Sequence, residues 1–204
     1  MIGSRGQDGR IMSQILLNNG IEVIGVIRKN SRFQEPSIQF NEIEVDLSDI
    51  ETFNHLLDSL KPNYIFHFGA IHANSKEMAD LELNHSAEMF NCHVKVTQNI
   101  LNWQTLNPCT SLIALSSFIY TPRYPRHEIH LGEPYAPQNQ YGRTKMAALE
   151  LITDYRKKFG VKSAGLILFN HSSEYAKAGF LIPNIASNLL NAHRFGKKLL
   201  IKNS

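Results

Sequence analysis

The sequence predicts an α/β protein built on a doubly wound parallel sheet. Three observations lead there. Short apolar runs rich in β-branched residues recur along the chain: EVIGVI at 22–27, YIFHF at 64–68, SLIALS at 111–116 and SAGLIL at 163–168. Between them lie stretches whose apolar residues repeat at helical spacing. A glycine triplet, Gly3, Gly6 and Gly9, stands at the head of the first such stretch, in GSRGQDGR at 3–10. Strands alternating with helices make βαβ units, and strands apolar on both sides need a helix layer on each face of the sheet.

The elements follow in order. Ile11, Ile15 and Leu16 share one face of a helix that Asn19-Gly20 stops. EVIGVI is a buried parallel strand, residues 30–41 a loop, and IEVD at 43–46 a short strand. Ser48 is placed to cap a helix in which Ile50, Phe53, Leu56, Leu57 and Leu60 line one side, with Pro62 just beyond its end. YIFHF is a strand, Leu83 to Trp103 a long helix, and SLIALS the next strand. Prolines 122, 125, 134 and 137 make the segment from Thr121 to Pro137 a loop. A helix over Gln140 to Lys158, the strand SAGLIL, a helix over Pro183 to Phe195 and a short strand LLI at 199–201 complete the pattern. In such a sheet the ligand sits at the carboxyl ends of the strands, at the switch point.

Composition narrows the function. The chain has 204 residues, 43% of them hydrophobic, which suits one folded core and excludes a disordered segment. No apolar run approaches the roughly 18 residues of a membrane span. No secretory signal is visible, and Cys92 and Cys109 lack metal or redox spacing, so a cytoplasmic location is expected. A net charge of +3 suits a small anionic ligand rather than nucleic acid or a membrane surface. There is no internal repeat.

The glycine loop carries the first chemical signal. Glycine permits a tight turn and a close approach of backbone to a pyrophosphate, which free N–H groups at the following helix start then hold. A Rossmann-like loop made by Gly3, Gly6, Gln7, Asp8 and Gly9 is expected to bind a dinucleotide. The end of the second strand selects which one. An acid there would bond the ribose of NAD, but Arg28-Lys29 stand in that place with Arg32 nearby, and cations suit the 2′-phosphate of NADP. NADP is therefore expected over NAD, against the plainer reading of a solvated basic loop. Asp46 and Leu47 end the third strand, where a carboxylate either meets the adenine amine or caps the next helix.

The second signal is YGRTK at 141–145, which sets Tyr141 and Lys145 one helical turn apart on one face. A cation beside a phenol favours its phenolate, and a tyrosine so tuned is a general acid/base. Ser116, with Ser117 in reserve, ends a buried strand and offers a hydroxyl for the substrate oxygen.

GSRGQDGR, VDLSD at 45–49, FHFGA at 66–70, YGRTK and LFNHSS at 168–173 together resemble the extended short-chain dehydrogenase/reductases, specifically the NAD-dependent epimerase/dehydratase family and its GDP-mannose 4,6-dehydratase branch. The resemblance implies NADP on the glycine loop and a nucleotide-sugar substrate, GDP-linked. It also implies oxidation at sugar C4 by Ser116, Tyr141 and Lys145, with Asn170 and Ser117 on the substrate side. It implies a homodimer through the 83–103 helix, against the alternative of simple packing on the sheet. Residues 1–170 are then the NADP-binding domain and 171–204 the start of a substrate lobe.

Three departures from the branch qualify this. Its dehydration motif Thr-x-Glu reads Ser116-x-Phe118 here, so a 4-keto reductase or epimerase stands beside the dehydratase reading. SEYAKAG at 173–179 lacks the branch's arginine pair, with Lys177 as a substitute cation. Both ends are short: the first strand retains at most Met1-Ile2 and much of the substrate lobe is missing, which leaves open a non-catalytic cofactor-binding or dimerising module with an exposed sheet edge. Elsewhere, His127 and His130 in HEIH are expected in a surface loop and no metal site is expected. His67 and His72 flank the end of the YIFHF strand; His72 is read as a satisfied histidine, against the alternative of lining the nicotinamide cleft, and Met78, Met89 and Trp103 as core.

Overall fold

The computed structural model describes residues 1–28, 40–71, 84–120, 128–130 and 132–196. Its elements run α1 (Gln7–Asn18), β1 (Ile24–Ile27), β2 (Asn41–Glu44), α2 (Ile50–Leu60), β3 (Tyr64–His67), α3 (Ser86–Phe90), a π-helical segment (Asn91–Lys95), α4 (Val96–Gln104), β4 (Thr110–Ser116), a 3₁₀ turn (Ser117–Ile119), α5 (Gln140–Phe159), β5 (Lys162–Leu168) and α6 (Leu181–Phe195). β1 pairs with β2, and β3, β4 and β5 pair in that order, all parallel.

Met1 and Ile2 join the two groups of strands. The Ile2 N–H donates to Phe66 O at 2.8 Å and Phe68 N–H to Ile2 O at 2.9 Å, while Val26 N–H donates to Met1 O and Gly3 N–H to Val26 O. Ile2 thus bridges Val26 on one side and His67 on the other. The order across the sheet is β2-β1-Ile2-β3-β4-β5, which reverses direction at Ile2 and puts the switch point between the glycine loop and β3. The expected exposed edge is therefore closed at this level. Each backbone N–H and C=O of Met1 and Ile2 is used by a neighbouring strand, and Ile2 is only 3% exposed, a burial that contributes about 1.5–3 kcal/mol.

The core gathers Phe53 and Leu57 of α2, Val96, Ile100, Leu101 and Trp103 of α4, Ile113 and Leu115 of β4, and Ala148 and Ile152 of α5. Trp103 Nε1 donates to Asp58 at 2.7 Å, tying α4 to α2. Met89 and Trp103 are buried as expected, and the residues of α4 face inward almost throughout, so this stretch packs within the fold.

Several expectations shift. Asp49, not Ser48, caps α2, its carboxylate accepting from Thr52 N–H at 3.1 Å. Both residues are good caps, but Ser48 Oγ is spent on Asp46 at 2.6 Å. β2 lies two residues earlier than IEVD. The long helix is interrupted by the π segment. α6 starts at Leu181, with Pro183 in its first turn, where the missing N–H has no helical partner to lose. Lys29, Arg32, His72, Met78, His127, the prolines at 122 and 125 and LLI at 199–201 lie outside the described residues.

Candidate active site

Each glycine of the loop has a steric reason. Gly3 adopts φ +79, and a Cβ on it would lie 2.7 Å from Gly69 N on the segment after β3. A Cβ on Gly9 would lie 2.1 Å from Gly3 O. Gly6 turns the chain into α1, its N–H donating to Gly3 O at 3.0 Å. Among the described residues no side chain caps α1, so its first-turn N–H groups face the switch point with the helix dipole behind them. That is the environment a pyrophosphate requires, and the residues fit a dinucleotide.

A side-chain clamp holds the loop in this shape. Ser4 Oγ donates to Glu42 Oε1 and Arg5 Nε to Glu42 Oε2, both at 2.9 Å, with a second Arg5 nitrogen at 2.8 Å. Glu42 reaches the loop because β2 pairs it beside Gly25, which has no side chain in the way. The sequence reading passes over Glu42; its only signal is an acid opposite a strand glycine.

The other cofactor-side candidates fall as follows. Gln7 and Asp8 begin α1, with Gln7 Nε2 3.4 Å from Asp8 Oδ1. Arg28 is exposed directly after β1. Asp46 Oδ1 accepts from Ser48 N–H at 2.9 Å, so it closes a turn ahead of α2 rather than capping the helix. Leu47 packs against the core. His171, following Asn170, reaches across to α1: its Nε2 lies 2.7 Å from Asp8 and its Nδ1 2.6 Å from Phe169 O. The Phe169 carbonyl first, and Asp8 with it, hold this imidazole above the ordinary histidine range. Asn170 itself is exposed.

Ser116, Tyr141 and Lys145 come together at the carboxyl end of β4. Asn139 caps α5 by accepting from Gly142 N–H at 2.8 Å. Gly142 is needed here, since a Cβ would lie 2.2 Å from Phe118 O. The helix then projects Tyr141 and Lys145 inward, and both are buried. Tyr141 hydrogen-bonds the Ser116 side chain, and Ser116 Oγ also accepts from Phe118 N–H at 3.3 Å. Lys145 Nζ donates to Ala114 O at 2.9 Å and lies 5.8 Å from the centre of the Tyr141 ring. Ser117 begins the 3₁₀ turn, half-buried.

Burial rules the titration of this cluster. It brings the Lys145 ammonium down to about 8. It pushes the Tyr141 phenol well above the ordinary tyrosine range, with the Ser116 bond acting in the opposite direction. Desolvation therefore sets the direction, against the lowering that the spacing of Tyr141 and Lys145 predicts. Phe118 meets the Tyr141 ring edge-on, centroids 5.8 Å apart at 88°, so an apolar ring stands where the resemblance would put a dehydration acid. His67 donates from Nε2 to Cys92 O at 3.0 Å, and its Nδ1 has no partner among the described residues. His130 lies in an exposed loop, and among the described residues no group of three or more His, Cys, Asp or Glu is placed to hold a metal. No helix among them is long and apolar enough to cross a membrane.

The sequence model described as the NAD dependent epimerase/dehydratase family matches residues 1–204. GDP-mannose 4,6 dehydratase of Cricetulus griseus is 26% identical over 203 residues, covering 92% of this chain and 53% of that protein. The chain spans about half the length of the curated relatives it matches. Among solved structures, dTDP-glucose 4,6-dehydratase from Bacillus anthracis in complex with NAD aligns with a TM-score of 0.78 at 17% identity, over 97% of this chain and 61% of that one. UDP-glucose 4-epimerase from Brucella ovis in complex with NAD aligns at 0.71 and 24%, over 83% and 50%.

Proposed function

The chain belongs to the NAD-dependent epimerase/dehydratase family, and from that premise we propose that it acts on a nucleotide sugar by redox chemistry at C4, with NADP as cofactor. The observation that carries this is the buried cluster of Ser116, Tyr141 and Lys145 facing the glycine loop across the switch point. When bound, the dinucleotide supplies the hydride acceptor and donor. Gly3, Gly6, Gln7, Asp8 and Gly9 hold its pyrophosphate through backbone N–H groups. Arg28, exposed at the end of β1, reads the 2′-phosphate, and Asp46 and Leu47 border the adenine.

Ser116 Oγ orients the C4 hydroxyl of the sugar. Tyr141 takes the proton of that hydroxyl as C4 becomes a ketone and returns it on reduction. Lys145 contacts the nicotinamide ribose and, beside the phenol ring, favours the phenolate. Ser117 and Asn170 face the sugar. The substrate is GDP-linked, in line with the GDP-mannose dehydratase relatives. Residues 1–170 form the cofactor domain and 171–204 begin the substrate lobe; a homodimer would use the exposed side of the 86–95 stretch, where Phe90 and Lys95 lie.

One observation favours a second reaction on the same site. Phe118 cannot move the proton that loss of water from C5 and C6 requires, so 4-keto reduction or epimerisation fits these side chains better than dehydration. Fluorescence titration with NADPH and NADH is the first test. Saturable binding with NADPH preferred is expected, followed by turnover of GDP-mannose or its 4-keto product in preference to UDP-glucose. A folded protein that binds neither dinucleotide refutes the proposal. Dehydration appearing only after Phe118→Glu would assign the parent to the redox-only reaction.

A further inference from the structure

A π-helical turn inside a long helix costs regular hydrogen bonding and often marks a working site. Here it spans Asn91–Lys95 and turns His93 into the interior, where the residue is 1% exposed. Both ring nitrogens are engaged. Ile71 N–H lies 3.2 Å from Nε2. A backbone N–H only donates, so Nε2 presents its lone pair and the ring proton resides on Nδ1. Nδ1 lies 2.8 Å from Thr144 Oγ1 and donates to it. The Thr144 hydroxyl in turn donates to Tyr141 O at 2.9 Å. The imidazole also meets the Tyr141 ring edge-on, centroids 5.2 Å apart at 87°. One buried side chain therefore links the segment after β3, the first turn of α5 and the phenol ring.

Building on the reading of Tyr141 as the acid/base, we propose that His93 is a positioning residue: as its Nδ1–H tautomer it acts through Thr144 to fix the first turn of α5 and hold the Tyr141 ring against Ser116. The direction of the chain is forced at both ends. Ile71 supplies a donor, and the Tyr141 carbonyl supplies only an acceptor. The contact is made from within the π turn, whose middle residue is His93.

Three substitutions of His93, with Thr144→Val beside them, separate this role from packing. In His93→Asn the amide reaches the Nδ1 position and keeps the donor to Thr144. In His93→Gln it reaches the Nε2 position and keeps the partner of Ile71 instead. His93→Phe keeps the ring and loses both bonds. The readout is the ultraviolet difference absorbance of the Tyr141 phenolate, taken for each protein against its Tyr141→Phe counterpart. In the parent and in His93→Asn, Tyr141 should stay silent where an ordinary tyrosine ionises, near about pH 10. In His93→Gln, His93→Phe and Thr144→Val its ionisation should fall by at least about one pH unit, a tenfold easier deprotonation, as the ring loosens and water reaches it.

Folded His93→Gln and His93→Phe proteins that titrate like the parent would overturn the proposal. Where these variants do not fold, long-range ¹⁵N NMR of the parent decides: an Nδ1–H ring at His93 supports it and an Nε2–H ring overturns it. Neither readout needs turnover, so a parent that binds no dinucleotide would refute the proposed function while the phenol titration still judges His93.

Discussion

Lys145 should make the protein measurably less stable at neutral pH than it would be without the charge. Its ammonium is buried, and burial brings its pKa from the ordinary 10.5 down to about 8. At 1.36 kcal/mol per pH unit this is about 3 kcal/mol. The sign follows from proton binding. Between pH 8 and 10.5 the unfolded chain holds the lysine proton and the folded one has released it, so stability rises as pH rises through this window and is lowest below it. Lys145→Met keeps the length and removes the charge. It also removes the bond from Nζ to Ala114 O, worth about 1 kcal/mol. The variant should therefore be more stable than the parent by about 2 kcal/mol at pH 7, and the two should converge or cross near pH 10. Urea unfolding at several pH values measures this. The phenol of Tyr141, held above its ordinary value, costs stability only above about pH 10, and it cancels in the comparison. Parallel curves for the two proteins, or a variant less stable at pH 7, would refute the reasoning. Redox activity should be lost in the variant at every pH.

Three further outcomes are expected. Burial holds His67 at about 3, against an ordinary 6.5, so acid favours the unfolded chain between those values; His67→Gln, which keeps a donor for Cys92 O, should flatten the loss of stability below pH 6.5 in acid unfolding curves. Gly9→Ala drives a methyl to 2.1 Å from Gly3 O and should cost about 1–3 kcal/mol in urea unfolding, with dinucleotide binding reduced in the fluorescence titration. Glu42→Gln breaks the clamp on Ser4 and Arg5 and should lower stability by about 2 kcal/mol, a fall in Tm of about 4–8 °C by calorimetry.

Much of this fold was legible because its parallel strands are buried on both faces, and continuous apolar runs such as SLIALS carry that burial openly in the sequence. The glycine triplet and Tyr141-x-x-x-Lys145 were legible because their chemistry depends on local spacing. What stayed hidden depends on register. The π turn leaves no mark in composition, since it arises from a shifted backbone bond at residues 91–95. Glu42 reaches Ser4 and Arg5 only because β2 aligns it with Gly25. The Asp8–His171 contact closes over 163 positions of sequence. The sign of the Tyr141 shift was also beyond the sequence: spacing supplies the cation, but only the packed structure sets the cost of desolvation.

These costs are concentrated rather than scattered. Lys145, His67 and Tyr141 are each displaced by burial from their ordinary titration ranges, and they lie within a few residues of Ser116, Cys92 and the π turn in space. A core selected for stability alone would put aliphatic side chains there at no loss. Natural proteins retain such groups where they act, so the pattern of destabilisation is itself an argument that this cluster does chemistry. It also explains the company Tyr141 keeps. Phe118 and His93 close on the ring edge-on, which keeps water from the phenol and fits the proposed role of Tyr141 beside Ser116 and Lys145.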